Sequence, residues 1–174
     1  MDDLVPFASR KYFALLGLLL FSRGMDFLST WTATPTLALE GNPIARKLGW
    51  KWGLPVNLLF CLGFALWPLP AIVISTSSVL VAARNFQHAW LMRSLGEEPY
   101  REWHVARLRE TRISVYLFCL FGQTALTALV GVAVIYYARG RFVADGIGVG
   151  IAAYALTVAF YTLLSVWRIR RALG

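Results

Sequence analysis

Asp26, Glu40, Asn42, Asn57, Arg84, Asn85 and His88 are the residues of this chain whose types and placing could do chemistry. Each lies within or beside a long apolar run. A charged group in such a setting costs several kcal/mol unless it is paired or hydrated, so it marks either a working site or an internal strut. Arg84 and His88 are four apart and Asn85 is three before His88, which gives one polar stripe on a helix. In a catalytic reading, Asp26 or Glu40 would be a base or metal ligand, His88 its partner, and Arg84 the holder of an anionic group. Carboxylate and imidazole suit a metal in principle. No HExxH or CxxC spacing supports one, so the expectation is a ligand-binding set without a metal, with no catalytic residue and no cofactor assigned.

The architectural alternative uses the same residues. Arg23 and Asp26 are three apart and could pair within one helix, or Asp26 could neutralise Arg84 and tie two helices together. Asn57, Asn85 and Thr30 would then be interhelical hydrogen-bonding groups worth about 0.6 kcal/mol each. Gln123, Tyr154 and Tyr161 read as packing residues, and His104 as a group at headgroup level. Gly146, Gly148 and Gly150 permit close helix approach and are no phosphate loop, because no strand precedes them. Two histidines, one of them in a span, are too few axial ligands for a multi-haem bundle. Cys61 and Cys119, both in apolar runs, read as small buried hydrophobes.

The elements that must position these residues are transmembrane helices. Of 174 residues, 58% are hydrophobic and 15% charged, with a mean hydropathy of +0.60, well outside the range of soluble domains. The runs Ile113–Ala138 and Gly146–Trp167 carry no charge and are each long enough for a hydrocarbon core of roughly 30 Å. Trp52–Ala83 is 32 residues without a charge, and Trp67-Pro68-Leu69-Pro70 near its middle favours a turn. These features predict an all-α, polytopic membrane helix bundle, one domain over residues 1–174. Five spans are expected near 12–31, 50–67, 71–92, 113–137 and 147–167.

Asn42 before Pro43 has the chemistry of a helix start. Residues 97–112 hold four Glu and four Arg with Tyr100 and Trp103, which suits a short interfacial helix, opened by Pro99 and supported by a Glu97 to Arg101 pair. Arg10-Lys11 before an apolar run resembles a signal peptide. No small-x-small cleavage pattern follows, so an uncleaved first helix is expected.

The net charge of +8 comes without a nucleic-acid-binding motif, and fits orientation and contact with anionic lipid, not nucleic acid. With five spans, eleven Lys and Arg share one side against four on the other, which places the N-terminus outside and the C-terminus in the cytoplasm of a cell (inner) membrane. A four-span arrangement, with one kinked span near 54–74 and Ser75–Ser78 as a loop, keeps a similar asymmetry and reverses the N-terminus. The paired prolines and the apolar Val79–Ala83 favour five. In that arrangement Asp26, Asn57, Arg84, Asn85 and His88 fall in the cytoplasmic third, and Glu40 and Asn42 lie beside the same mouth.

Asp26-x3-Thr30 followed by Glu40-x-Asn42-Pro43 resembles a group of small bacterial and archaeal membrane proteins of unknown function, with Asn85 matching an Asn late in their third helix. The similarity covers about residues 20–90, and it departs where a basic residue is expected in the second helix and this chain has Asn57. The resemblance implies a membrane fold with a shared polar site and brings no activity. The expected partners are membrane lipids, with a polar or anionic headgroup or another amphiphile as ligand of the seven residues, and protein subunits or a second copy. Against this stands another class, an accessory or assembly subunit of a larger membrane complex, to which the 14% aromatic content is equally suited. A transporter or channel is a third class, less favoured because no inverted repeat is visible.

Overall fold

A computed structural model describes residues 4–171. Its elements are α1 (Arg10–Ala33), α2 (Pro43–Phe64), α3 (Pro68–Leu95), α4 (Glu97–Glu110), α5 (Ile113–Ala138) and α6 (Phe142–Arg171). The chain is an all-α bundle in which α1, α3, α5 and α6 are long and apolar enough to cross a membrane. α2 does not meet that standard. Its first half carries Arg46, Lys47 and Lys51, and Gly49 breaks it with φ 62°, so the uncharged stretch of the helix is confined to residues 52–64.

Local chemistry sets the helix ends. The Ser9 hydroxyl accepts from the Tyr12 N–H at 3.2 Å to open α1. Asn42 accepts from the Ile44 N–H at 3.0 Å to open α2, with Pro43 in the first position as expected. Pro68 starts α3, and Gly96 at φ 84° stops it. Arg139 and Gly140, both left-handed, make the turn between α5 and α6.

α1 and α3 run parallel and pack along their length. Leu15 and Leu19 share a core cluster with Ala71 near the starts of both helices, and Asn85 reaches Ser29 and Thr30 near their ends. α2 returns antiparallel along another flank of α1. The Tyr12 hydroxyl donates to the Leu62 carbonyl at 3.2 Å, and Phe27 lies against Gly53. α2 packs only lightly, and more on α1 than on α3, its neighbour in sequence. α6 runs parallel to α3, with Gly146 against Ile72 and Gly150 against Thr76, and α5 packs antiparallel to α6 through Gly131 and Gly148.

The bundle therefore has two unlike ends. One holds the short turns 65–67 and 139–141. The other holds the connection 34–42 and α4. Many large apolar side chains, among them Phe21, Phe118, Leu126 and Phe160, point outward, as a bilayer-facing surface requires.

Several expectations change. Ser75–Ser78, a loop only in the less favoured four-span alternative, is the middle of α3, with Ser75 and Ser78 buried, because Pro68 opens a helix that runs unbroken to Leu95. α6 begins five residues earlier than expected, since the turn is made by Arg139 and Gly140 and not by the later glycines. Cys61 is buried, but Cys119 lies on an exposed face of α5. α4 begins at Glu97, ahead of Pro99, and Arg101 pairs with Glu98 at 3.8 Å, which frees Glu97 for another role.

Candidate functional site

At the α4 end the helices separate around a cavity of about 520 Å³, within the range of small-ligand pockets. α1 contributes Arg23, Asp26 and Thr30, and α2 contributes Gly53 and Asn57. α3 adds Arg84 and Asn85, the connection adds Glu40 and Asn42, and α6 forms a further wall. Six of the seven residues expected from the sequence line this one space. His88 does not. It lies on an exposed face of α3, with Nδ1 at 3.0 Å from the Arg84 carbonyl oxygen, one turn back. The second histidine, His104 of α4, lines the cavity in its place.

Arg23 is the hub of a closed hydrogen-bond network. Its Nη1 donates to Asp26 at 2.7 Å and to Ser78 at 3.2 Å, while Nε donates to Asn57 Oδ1 at 2.9 Å and Nη2 donates to the same oxygen. The Asn57 amide in turn donates to the Gly53 carbonyl at 2.9 Å. The pair of Arg23 and Asp26 is mostly buried, the two side chains being 26% and 16% exposed. Of the two pairings open to Asp26, the one within α1 is realised. The partners are three apart in sequence, so one helical turn brings them together.

Arg84 is thereby left over. It lines the cavity half-buried and makes no ion pair among the described residues. A guanidinium carries five N–H donors in a fixed fork, suited to phosphate or carboxylate. Asn85, the next residue, is used structurally, its amide donating to Ser29 Oγ and Thr30 Oγ1 at 3.3 Å each.

Glu40 accepts from the Asn42 N–H at 2.7 Å and likewise has no cation beside it among the described residues. Burial pushes its carboxyl above the usual carboxylate range, against the opposing pull of the Asn42 and Gly41 N–H groups. Burial, and then the neighbouring His88, push His104 below the usual imidazole range, which keeps it neutral at pH 7. Its ring stacks on Tyr100 at 6.1 Å, interplanar angle 10°. Among the described residues no three His, Cys, Asp or Glu gather as a metal would need.

The sequence reading missed the α6 wall. Tyr154, Thr157, Tyr161 and Ser165 recur at helical spacing and line the cavity. Neither tyrosine hydroxyl makes a hydrogen bond among the described residues, so both remain available to an occupant. The stripe is visible in the sequence as a polar periodicity within an apolar run, a signal that each residue taken singly does not carry.

The mouth is tied shut at one edge by Glu97. Its carboxylate accepts from the Thr34 and Thr36 hydroxyls at 2.6 Å each and from the Thr36 and Ala38 N–H groups at 3.1 and 3.3 Å. Burial of Glu97 works against its charge, but those four donors outweigh it and hold the carboxyl below the usual range. The connection that carries Glu40 and Asn42 is thus anchored to the first turn of α4. No protein-family model matches this chain, and no curated protein or solved structure does so either.

Proposed function

We propose that the cavity binds the polar or anionic head of a membrane amphiphile, a lipid headgroup being the natural ligand, while the apolar tail stays in the bilayer. The observation that carries this reading is Arg84, a guanidinium inside the bundle with no partner from the described chain. Leaving such a charge uncompensated is costly, whereas an anionic ligand converts it into a charge-assisted bond. The hydroxyls of Tyr154 and Tyr161 supply further donors to the same space. No reaction is assigned to the site. The Asp-x3-Thr and Glu-x-Asn-Pro signature fits the reading, since its Asp26, Thr30, Glu40 and Asn42 all face one cavity.

The test is lipid retention. The protein, purified in mild detergent and analysed by native mass spectrometry, should carry bound phospholipid, and Arg84→Gln should lose it with its unfolding temperature unchanged. Retention that ignores the substitution would sink the proposal. The Arg23 network, complete without any ligand, favours a second reading in which the polar residues are struts of an accessory subunit. Stoichiometric co-purifying subunits with no retained lipid would favour that alternative.

The reading includes five spans, α4 as an interfacial helix, and the α4 end facing the cytoplasm. Parallel α1 and α3 support it, because a chain that crosses twice in one direction must return through α2 between them. The basic asymmetry of eleven to four gives the direction. A cysteine placed beside Leu69 should react with an impermeant thiol reagent on intact cells, and one beside Arg109 only after lysis. Labelling of the Arg109 site on intact cells would overturn the orientation.

A further inference from the structure

The cavity holds two charges of opposite sign that do not neutralise each other. Arg23 and Asp26 are paired at 2.7 Å, and the hydrogen bonds of Arg23 are taken up by Asp26, Asn57 and Ser78. Arg84 and Glu40 line the same space, and neither forms an ion pair with the other or with any described residue. Glu40 uses Oε1 to hold the Asn42 N–H, which leaves Oε2 without a donor from a side chain. Glu40 lies near enough for its charge to be felt at Asp26, so the carboxylate side of the cavity has an excess of negative charge once Arg23 is counted against Asp26 alone. A purely anionic occupant would satisfy Arg84 and worsen the position of Glu40.

Resting on the headgroup reading above, we propose that the ligand is a zwitterion that carries a phosphate for Arg84 and a primary ammonium for Glu40, the chemistry of a phosphoethanolamine head. The phosphate takes the planar fork of the guanidinium, as a bidentate acceptor does. The ammonium offers three donors, of which Glu40 Oε2 can accept one and the tyrosine hydroxyls of α6 can accept others. A quaternary ammonium has no N–H to donate and is therefore a poorer fit. The upward push on the Glu40 carboxyl, with burial as its main cause, agrees with a carboxylate that lacks its cation. Binding of a cation beside it should favour ionisation, so affinity should rise with pH through and above the usual carboxylate range.

The experiment is a competition measured by native mass spectrometry on the full chain in dodecyl maltoside. The probes are dioleoyl phosphatidylethanolamine, phosphatidylcholine and phosphatidylglycerol, with water-soluble O-phosphoethanolamine as the free head. The ethanolamine lipid should bind about tenfold more tightly than the glycerol lipid, the margin of one charge-assisted contact. Glu40→Gln, which keeps the acceptor for Asn42, should weaken the ethanolamine lipid and abolish its preference over the glycerol lipid. Arg84→Gln should weaken every lipid, and Arg84→Lys should restore part of the loss.

If the free head competes as well as the lipid, the zwitterion is supported with a soluble source. If only the lipid binds, it is supported with a membrane source. Equal affinity of wild type for the ethanolamine and glycerol lipids, or a preference that survives Glu40→Gln, overturns the zwitterion while the headgroup reading stands. Failure of wild type to bind any probe overturns both.

Discussion

The turn end and the α4 end of the same helices are built on opposite principles. At the turn end, α3, α5 and α6 approach until no side chain fits between them. A Cβ on Gly148 would lie 2.6 Å from Ile135 Cγ1 and 2.7 Å from the Gly131 carbonyl oxygen, and one on Gly150 would lie 2.6 Å from Thr76 Cβ. At the α4 end, α6 presents Tyr154 and Tyr161 where the turn end presents glycine, and the helices stand off around a cavity of about 520 Å³. Small residues bring helices together by dispersion where lipid offers no hydrophobic drive, and bulky polar residues on the continuation of one helix hold them apart. A closed end gives the rigidity with which an open end can keep its shape.

The comparison breaks most severely at Arg23, the polar strut between the two regimes. Arg23→Met should strand Asp26 and lower stability by about 3 kcal/mol, and Arg23→Met/Asp26→Leu should recover more than half of the loss. Equilibrium unfolding of the two single variants and the double variant measures it. Strict additivity would show that the pair is not a unit.

A smaller effect should separate the ends directly. Gly148→Val, which forces a side chain into the helix contact, should cost about 1–3 kcal/mol. Thr157→Val, on the α6 face that lines the cavity, should stay within about 0.5 kcal/mol. Thermal unfolding in detergent compares them, and equal losses would mean that the α4 end is as tightly packed as the turn end.

The finest test concerns the mouth and is read in pH. Glu97 has a depressed pKa in the folded chain, so its stabilising contribution is present above the usual carboxylate range and is lost as pH falls below that range through its folded value. Glu97→Gln should cost about 1 kcal/mol at neutral pH and flatten the acid limb. Glu40, with a raised pKa, has the opposite sign. Its contribution is complete below the usual range and is lost as pH rises through its folded value, so Glu40→Gln should be at least neutral at pH 7. Unfolding temperature against pH for both variants checks the signs, and an acid limb unchanged in Glu97→Gln would remove Glu97 from the mouth.

Much of this architecture can be read in the sequence because it is local. Pro43 after Asn42, the prolines at Pro68 and Pro70, and the long uncharged runs act within a few residues, and they place five of the helices to within a turn or so. The bundle of apolar helices and the gathering of Asp26, Asn57 and Arg84 at one end of it follow from the alternating direction of α1, α2 and α3. What depends on rotation about a helix axis was less legible. His88 and Arg84 share a stripe in sequence, yet only Arg84 reaches the cavity, because the α1 contact selects a narrower face of α3. Glu97 was paired with Arg101 by spacing, but four donors from a connection some sixty residues away compete better than one exposed guanidinium. The Gly49 break is not legible in the sequence, because a single glycine in a helical pattern is usually tolerated.

The parallel packing of α1 on α3, with α2 resting mainly on α1, also bears on how the chain is made. The helix that emerges after α1 gives it only a slender partner, and the surface that α1 buries most fully is supplied by the third helix, about fifty residues later. During synthesis, Arg23 and Asp26 must therefore enter with each other and Asn57 as company before Ser78 exists. The charge pair within α1 makes that helix self-sufficient for the interval, whereas pairing of Asp26 with Arg84 would have left it waiting.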